Sequence, residues 1–385
     1  MLGNTFGRMF RVTTCGESYS GAFRKGLKIP EELIGGLLAI VDGVPPGIKL
    51  TTKQIQKELD KRRPGQSKID TPRKEKDRVY IYSGVMENDL TTGAPVGLII
   101  PNVDMLDSQI ENHRKFKNTL KPGQSAYSHL KKYGKYFDWL GAGRGSGRET
   151  AARVAGGAVA KVILDTKNID VIAFVTEIHG IKAGQISYST AKKNYRKNEL
   201  NCPDLAKAEK MIKEILKIKK EKDSCGGVIE IIVKGMPAGI GEPVFEKLEA
   251  MISYAVMSIG AVKGIEFGAG FEHANMKGSE SNDIPYYDEK TGNVKFKTNN
   301  AGGILGGIST GEEIRIRVAV KPTPTISIPQ STINIKKEKN EVVEFTGRND
   351  ASICPRICPV CEAMVRMAVL DAIYMYSGYK SMFPD

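Results

Sequence analysis

The chain of 385 residues is 41% hydrophobic, enough for a packed core, which excludes an intrinsically disordered protein. Its formal charge is +13, from 57 basic against 44 acidic residues, with aromatics at only 7%. A nucleic-acid surface would interleave basic residues with aromatics, whereas a basic cleft that attracts a multiply charged anion accounts for the charge equally well.

The first residues, MLGNTFGRMFRVTT, carry no basic segment before a long apolar stretch, and no signal peptide is expected. Nowhere does an apolar run approach the roughly 20 residues of a membrane span. A cytosolic chain with neither membrane nor nucleic-acid partners is the expectation.

Thr5–Thr14 reads as a strand that ends in Gly16-Glu17-Ser18, and Leu37–Val41 as a second, closed by the turn-rich DGVPPG. Thr51 with Gln54 has capping-box spacing and predicts a helix to about Arg62. The basic, turn-rich RRPGQSKIDTPRKEKD then predicts an exposed flap, followed by strands over 79–85 and 94–100.

Residues 150–165 predict a helix of small side chains. Glycine costs a helix up to about 1 kcal/mol relative to alanine, so Gly156 and Gly157 imply a neighbour pressed against them. Further on, the patterns give a strand at 171–175, an amphipathic helix at 206–220 and a strand at 228–233. The lysines of 217–222 read as the wet face of that helix. A helix at 245–258, uncharged after Glu249, is expected to be mostly buried; a strand at 314–320 and a last helix at 360–376 complete the chain. Without regular βαβ alternation, these elements predict an α+β fold in one large domain, 1–385.

Residues 121–161 stand out. Gly141, Gly143, Gly145 and Gly147 leave little bulk apart from Arg144, Ser146 and Arg148, just before a helix N-terminus. Such a backbone lets a ligand approach closely, and arginine grips phosphate or carboxylate in a bidentate way. It is equally readable as a packing loop with two solvated arginines. Neither the P-loop nor the dinucleotide fingerprint fits, because Arg148 and Glu149 follow Gly147, and Ser146 stands where a third glycine belongs.

Six cysteines in a chain of this length do not form a secreted disulfide framework. Cys354, Cys358 and Cys361 have the C-x-x-x-C-x-x-C spacing of radical enzymes that use an iron–sulfur cluster, but they lead into an apolar helical pattern near the C-terminus. Buried structural cysteines are expected, and no metal.

Taken in order, GNTFGRMFRVTTCGES, DGVPPG, RRPG, GRGSGRETAARVAGGAVAK, PAGIGEPVF, NNAGGILGGIS, KPTPT and GRND resemble the chorismate synthase family, from Gly3 to about Tyr376. The resemblance implies a lyase of the shikimate pathway, in aromatic amino acid biosynthesis. It would remove phosphate and a proton from 5-enolpyruvylshikimate 3-phosphate in a 1,4-anti elimination that gives chorismate. Reduced FMN would be required without net redox change, with NADPH acting only indirectly to reduce it. Two antiparallel sheets packed with helices, in a cytoplasmic homotetramer, are implied as well.

By the same resemblance, Arg63, Lys68, Lys121, Arg148 and Arg348 would surround the substrate's anionic groups, with Ser18 and Ser146 donating hydrogen bonds. Asp350 would lie near the flavin N5. Thr298, Asn299, Ala301, Gly302, Lys321 and Thr325 would hold the flavin and its phosphate. Three motif histidines of the family are replaced, by Tyr19, Gln124 and Asn349. Tyr19 would then donate a proton or a hydrogen bond, and Gln124 would only hydrogen-bond the flavin. His113, His129, His179 and His273 fall outside the motif positions; His129, near Gln124 in sequence, could swing toward the site, but a surface role is the preferred reading. The alternative reading is a relative of altered function that keeps the flavin- and anion-binding fold.

Overall fold

The structure is a computed structural model that describes residues 3–21, 35–65, 67–71, 75–103, 107–345 and 350–382. Its first sheet contains β1 (Thr5–Phe6), β2 (Arg11–Cys15), β3 (Gly36–Asp42), β4 (Tyr80–Ser83) and β5 (Val96–Pro101), in the order β1-β2-β3-β5-β4 and antiparallel throughout. Helix α1 (Thr52–Asp60) precedes β4, and the expected capping box between Thr51 and Gln54 is formed.

The predicted strand Thr5–Thr14 is broken in two. Its middle turns at Gly7, with φ of 88°, and the backbone amides of Arg8, Met9 and Phe10 all donate to the buried carboxylate of Asp371 at 2.7–3.0 Å. A buried carboxylate holding three amides satisfies groups that would otherwise be stranded in the turn. Asp371→Ala is therefore expected to lower the unfolding free energy by about 2–4 kcal/mol, read from the urea midpoint. A change under 0.5 kcal/mol would mean that water replaces the carboxylate.

Helices α2 (Asp107–Lys115) and α3 (Ala126–Tyr133) follow, then α4 (Thr150–Asp165). The second sheet is built from β6 (Asp170–Ile178), β7 (Ile181–Lys182), β8 (Gly227–Lys234) and β9 (Val262–Phe267), with helices α5 (Tyr188–Asn194), α6 (Leu205–Lys220) and α7 (Leu248–Met257) interspersed. Two hairpins, β10 (Pro285–Asp288) with β11 (Asn293–Phe296) and β12 (Ile304–Leu305) with β13 (Ile308–Ser309), precede the return strand β14 (Ile314–Val320). That sheet runs β7-β6-β8-β14-β9, again antiparallel. A last hairpin, β15 (Gln330–Asn334) with β16 (Lys339–Val343), leads to the long helix α8 (Cys354–Met382).

Helix α4 packs on β2, β3 and β5, and α8 packs on β6 and β8 and against α4, so the two helices fill the space between the sheets. The small residues of α4 are what let this happen. A Cβ on Gly156 would stand 2.8 Å from Val12 of the first sheet, and one on Gly157 would stand 2.4 Å from Ala363 of α8. The neighbours anticipated for these glycines are thus a strand on one side and a helix on the other.

Two expectations shift. Helix α7 is less buried than its lack of charge suggested, with Tyr254 64% and Met257 45% exposed. The last helix begins earlier, at Cys354, and accommodates Pro359 in its first turns. Cys354, Cys358 and Cys361 are buried as expected, and burial pushes their thiols up, Cys354 to about 12. The thiolate that a cluster or metal requires is therefore disfavoured.

Candidate active site

The Lys121–Gln124 turn and the Lys321–Thr325 loop, which follows β14, are clasped together. Lys321 Nζ donates to the Gly123 carbonyl at 2.8 Å, and the Gln124 amide donates to the Thr325 hydroxyl. Gly123 has φ of 69°, and a Cβ there would meet Pro324 at 2.9 Å, so the turn requires glycine both for its conformation and for this approach.

The loop after β2 arrives beside them. Asn102 donates to the carbonyls of Glu17 and Ser18 at 3.0 and 3.3 Å. Gly141, at φ 57°, lets the glycine-arginine loop close on this segment: its missing Cβ would lie 2.7 Å from the Tyr19 ring and 3.0 Å from Ser18 Oγ. Ala142 sits at φ 68°, a left-handed conformation that costs a non-glycine residue about 1–2 kcal/mol. Strain of this kind concentrates where a loop is held for function.

Between these segments lies a solvent-open cleft with a cavity volume of about 200 Å³. Ser18, Tyr19, Lys121, Gln124, Ser146 and Thr325 all line it, so six of the residues expected in the site are brought together. Tyr19 is buried; its hydroxyl donates to Gln109 Oε1 at 3.0 Å and its ring meets His113 edge-on at 5.2 Å. Ser146 Oγ accepts from the Arg148 amide at 3.2 Å.

Lys121 is the most informative of the six. Burial pushes its ammonium down from the ordinary lysine range. Among the described residues no carboxylate forms an ion pair with it, and its ammonium stands 5.6 Å from the centre of the Phe345 ring. A desolvated cation that has no ion-pair partner among the described residues, set on a cavity wall, suits an anion that arrives from outside.

The other expected residues stand apart from this lining. Arg148 is buried and already committed: it donates to Asp77, to Asn102 Oδ1 at 3.0 Å and to the Pro101 carbonyl at 3.2 Å, and pairs with Glu75 at 3.1 Å. Arg62 meets the same Asp77 at 2.7 Å and also holds Thr150 and the Gly147 carbonyl. Although burial would raise Asp77, Arg62 and Arg148 hold its carboxyl below the usual range. These two arginines fix the entrance to α4 and thereby the position of Ser146. Arg144 likewise ties the loop to β2, donating to the Gly16 carbonyl at 2.9 Å and to Thr14 Oγ1 at 2.8 Å.

Arg63 pairs with Asp60 at 2.9 Å, and Lys68 is exposed, with its amide on Glu199. Asp350 is held by Arg356 at 2.7 Å and the Thr71 amide at 3.0 Å, one step behind the cavity, where its carbonyl accepts from Thr323. Arg348 and Asn349 lie outside the described residues.

Thr298 and Ala301 bind the Asp283 carboxylate at 2.6 and 2.8 Å, Asn299 donates to the Glu313 carbonyl at 2.8 Å, and Gly302 abuts Gly268. They meet the Ile314 end of β14, whereas Lys321 follows its Val320 end. A seven-residue strand separates the two by about 20 Å. The two halves of the expected flavin set therefore do not meet on this cavity.

Several lining residues were not anticipated. Gln109, Asn112, His113 and Phe116 come from α2 and its end at helical spacing, and His129 from α3. His129 thus takes the site-facing alternative rather than the preferred surface one. Helix α2 escaped notice because DSQIENHRK buries only Ile110 and carries no apolar stripe. The remaining signal was the 109, 112, 113, 116 spacing itself.

Phe116, Phe137, Trp139 and Tyr19 give the cavity flat aromatic surface, and Lys117 and Lys121 give it positive charge. This lining fits a planar aromatic group carrying a phosphate, as well as a polyanionic carbocycle.

Comparison with known proteins agrees with this geometry. A sequence model described as chorismate synthase matches residues 10–374. The chain is 69% identical over 383 residues to a protein of Acetivibrio thermocellus named chorismate synthase, covering 99% of this chain and 97% of that one. A chorismate synthase of Methanococcoides burtonii is 48% identical over 371 residues, covering 96% of each. Among solved structures, one titled as the crystal structure of chorismate synthase superposes with a TM-score of 0.73 at 29% identity, covering 97% of this chain and 94% of the other. From the clasped loops around the cavity to the match over nearly its whole length, the chain belongs to the chorismate synthase family of carbon–oxygen lyases.

Proposed function

We propose that this cavity takes 5-enolpyruvylshikimate 3-phosphate beside reduced FMN and eliminates phosphate to give chorismate. The observation that carries the reading is Lys121, a partly desolvated cation on the cavity wall that forms no ion pair with a carboxylate among the described residues. The substrate brings two carboxylates and a phosphate, and a closed site must offset their desolvation with charge and hydrogen bonds.

Lys121 supplies the charge, and Ser18 and Ser146 supply hydroxyl donors around it, while Tyr19, its O–H held by Gln109, presents its hydroxyl oxygen and ring. Gln124, fixed by Thr325, orients the bound groups without exchanging a proton. Lys321 holds the Gly123 turn, and Asp350 braces the loop behind the cavity through Thr323. Arg148 acts through the loop that presents Ser146. Reduced FMN, when bound, would supply electron density and a basic nitrogen for a reaction without net redox change, and NADPH would take part only indirectly, in reducing it.

A cytoplasmic homotetramer accords with two observations. No helix among the described residues is long and apolar enough to cross a membrane. A groove along β1, β2 and α7 leaves Phe245 91% and Tyr254 64% exposed, surface of the kind a second copy covers. Anaerobic incubation with reduced FMN and the phosphorylated substrate is expected to yield chorismate. Tight binding of both with no chorismate would move the chain to the second reading, a relative that keeps the fold and the anion cradle.

A further inference from the structure

The elimination needs a proton carrier, and Gln124 and Tyr19, which stand at two of the replaced motif histidines, do not provide one near neutrality. When the C–O bond breaks with its electron pair on oxygen, phosphate leaves as a trianion and takes up one proton, while the ring C–H gives one up. Glutamine has no proton to exchange, and a phenol parts with its proton only near pH 10. Imidazole is the side chain suited to the task near neutrality.

His129 occupies the appropriate place. It lies one turn into α3 from the Gln124 turn, with its amide on the Ser125 carbonyl at 2.9 Å. Its ring packs on the glycine loop beside Ser146: a Cβ on Gly145 would stand 2.8 Å from Cε1 and 3.3 Å from Nε2. The Tyr133 ring stands edge-on to it at 6.0 Å. Within the cavity the titratable groups are Tyr19, His113, Lys117, Lys121, His129 and Asp138.

Asp138 is the one carboxylate among the described residues that line the cavity, and it is coupled electrostatically to His129. Its Oδ1 is anchored by the Leu140 amide at 2.9 Å. Burial raises Asp138, while the Leu140 amide and His129 pull it back.

We propose that His129 is a catalytic residue of this chain, donating its proton to the departing phosphate oxygen on the Gln124–Ser146 side of the cavity. The proton lost from the ring carbon recharges the imidazole through solvent, so the cycle is proton-neutral and needs no further reactant. The assignment rests on the chorismate synthase reading of the site.

His129→Gln is expected to lower kcat about 100-fold, in the range of a lost general acid, with the substrate Kd within threefold of the parent. In His129→Ala, added imidazole should restore part of the rate saturably. Independently of turnover, the His129 ring resonances of the apoprotein should shift when inorganic phosphate alone is added. A parent that makes chorismate while His129→Gln turns over equally well overturns this proposal and leaves the reading of the site intact. So does a His129 resonance indifferent to phosphate. A parent that makes no chorismate overturns both.

Discussion

Replacing Lys121 by methionine is expected to lower kcat/KM for the phosphorylated substrate about 100-fold, which corresponds to about 2.7 kcal/mol of lost transition-state binding. The fold should hold at least as well as before. Burial pushes the ammonium down, meaning that the native state binds this proton less tightly than the unfolded chain does. Below the unfolded lysine range the charge therefore works against folding, and removing it relieves that cost. A group that opposes stability while facing a cavity is accounted for by its ligand. Steady-state kinetics with a parallel urea melt separates the two effects. Activity within threefold of the parent would show that another cation meets the anion.

Much of the frame was readable because it rests on local signals. The capping box at Thr51, the small-residue helix 150–165 and the strand 314–320 appear as anticipated, since turn chemistry and periodicity fix them without reference to distant residues. The strand 5–14 failed for the opposite reason: it is broken by Asp371, more than 360 positions away in the chain.

The candidate site divides in the same way. Ser18, Lys121, Gln124 and Ser146, which the family resemblance named together, line one cavity, and the clasp between Gln124 and Thr325 brings the two loops to it. What could not be read was partnership. Arg148 looks like an anion ligand in sequence, yet its guanidinium is spent on Asp77 and Glu75. His129 looks like a surface residue, yet helix α3 turns it inward. Charge type is visible in a sequence, whereas the counter-charge is visible only once the chain is folded.

The other large effect lies far from the cavity, where α8 crosses α1 and β6. Glu362 is fully buried and meets Arg366 at 3.0 Å, Arg196 at 3.4 Å, Lys61 at 3.5 Å and the Ala173 amide at 3.2 Å. Glu58 completes the group, reaching Lys61 at 2.7 Å and Arg366 at 2.8 Å. Burial alone would raise the Glu362 carboxyl, but Lys61, Arg366 and Arg196 hold it down at about 2. Glu362→Gln leaves buried cations short of a counter-charge and is expected to cost about 3–5 kcal/mol at neutral pH. The pH dependence has a definite sign. With the folded carboxyl at about 2 and an ordinary value of 4.5, the unfolded chain binds the proton first as pH falls. The stabilisation is thus complete above about pH 5 and is lost between there and pH 2. Urea melts of the parent should weaken across that window by a few kcal/mol, and those of Glu362→Gln should be flatter. Equal slopes in the two proteins would show that other carboxylates, not this one, set the acid limit of the fold.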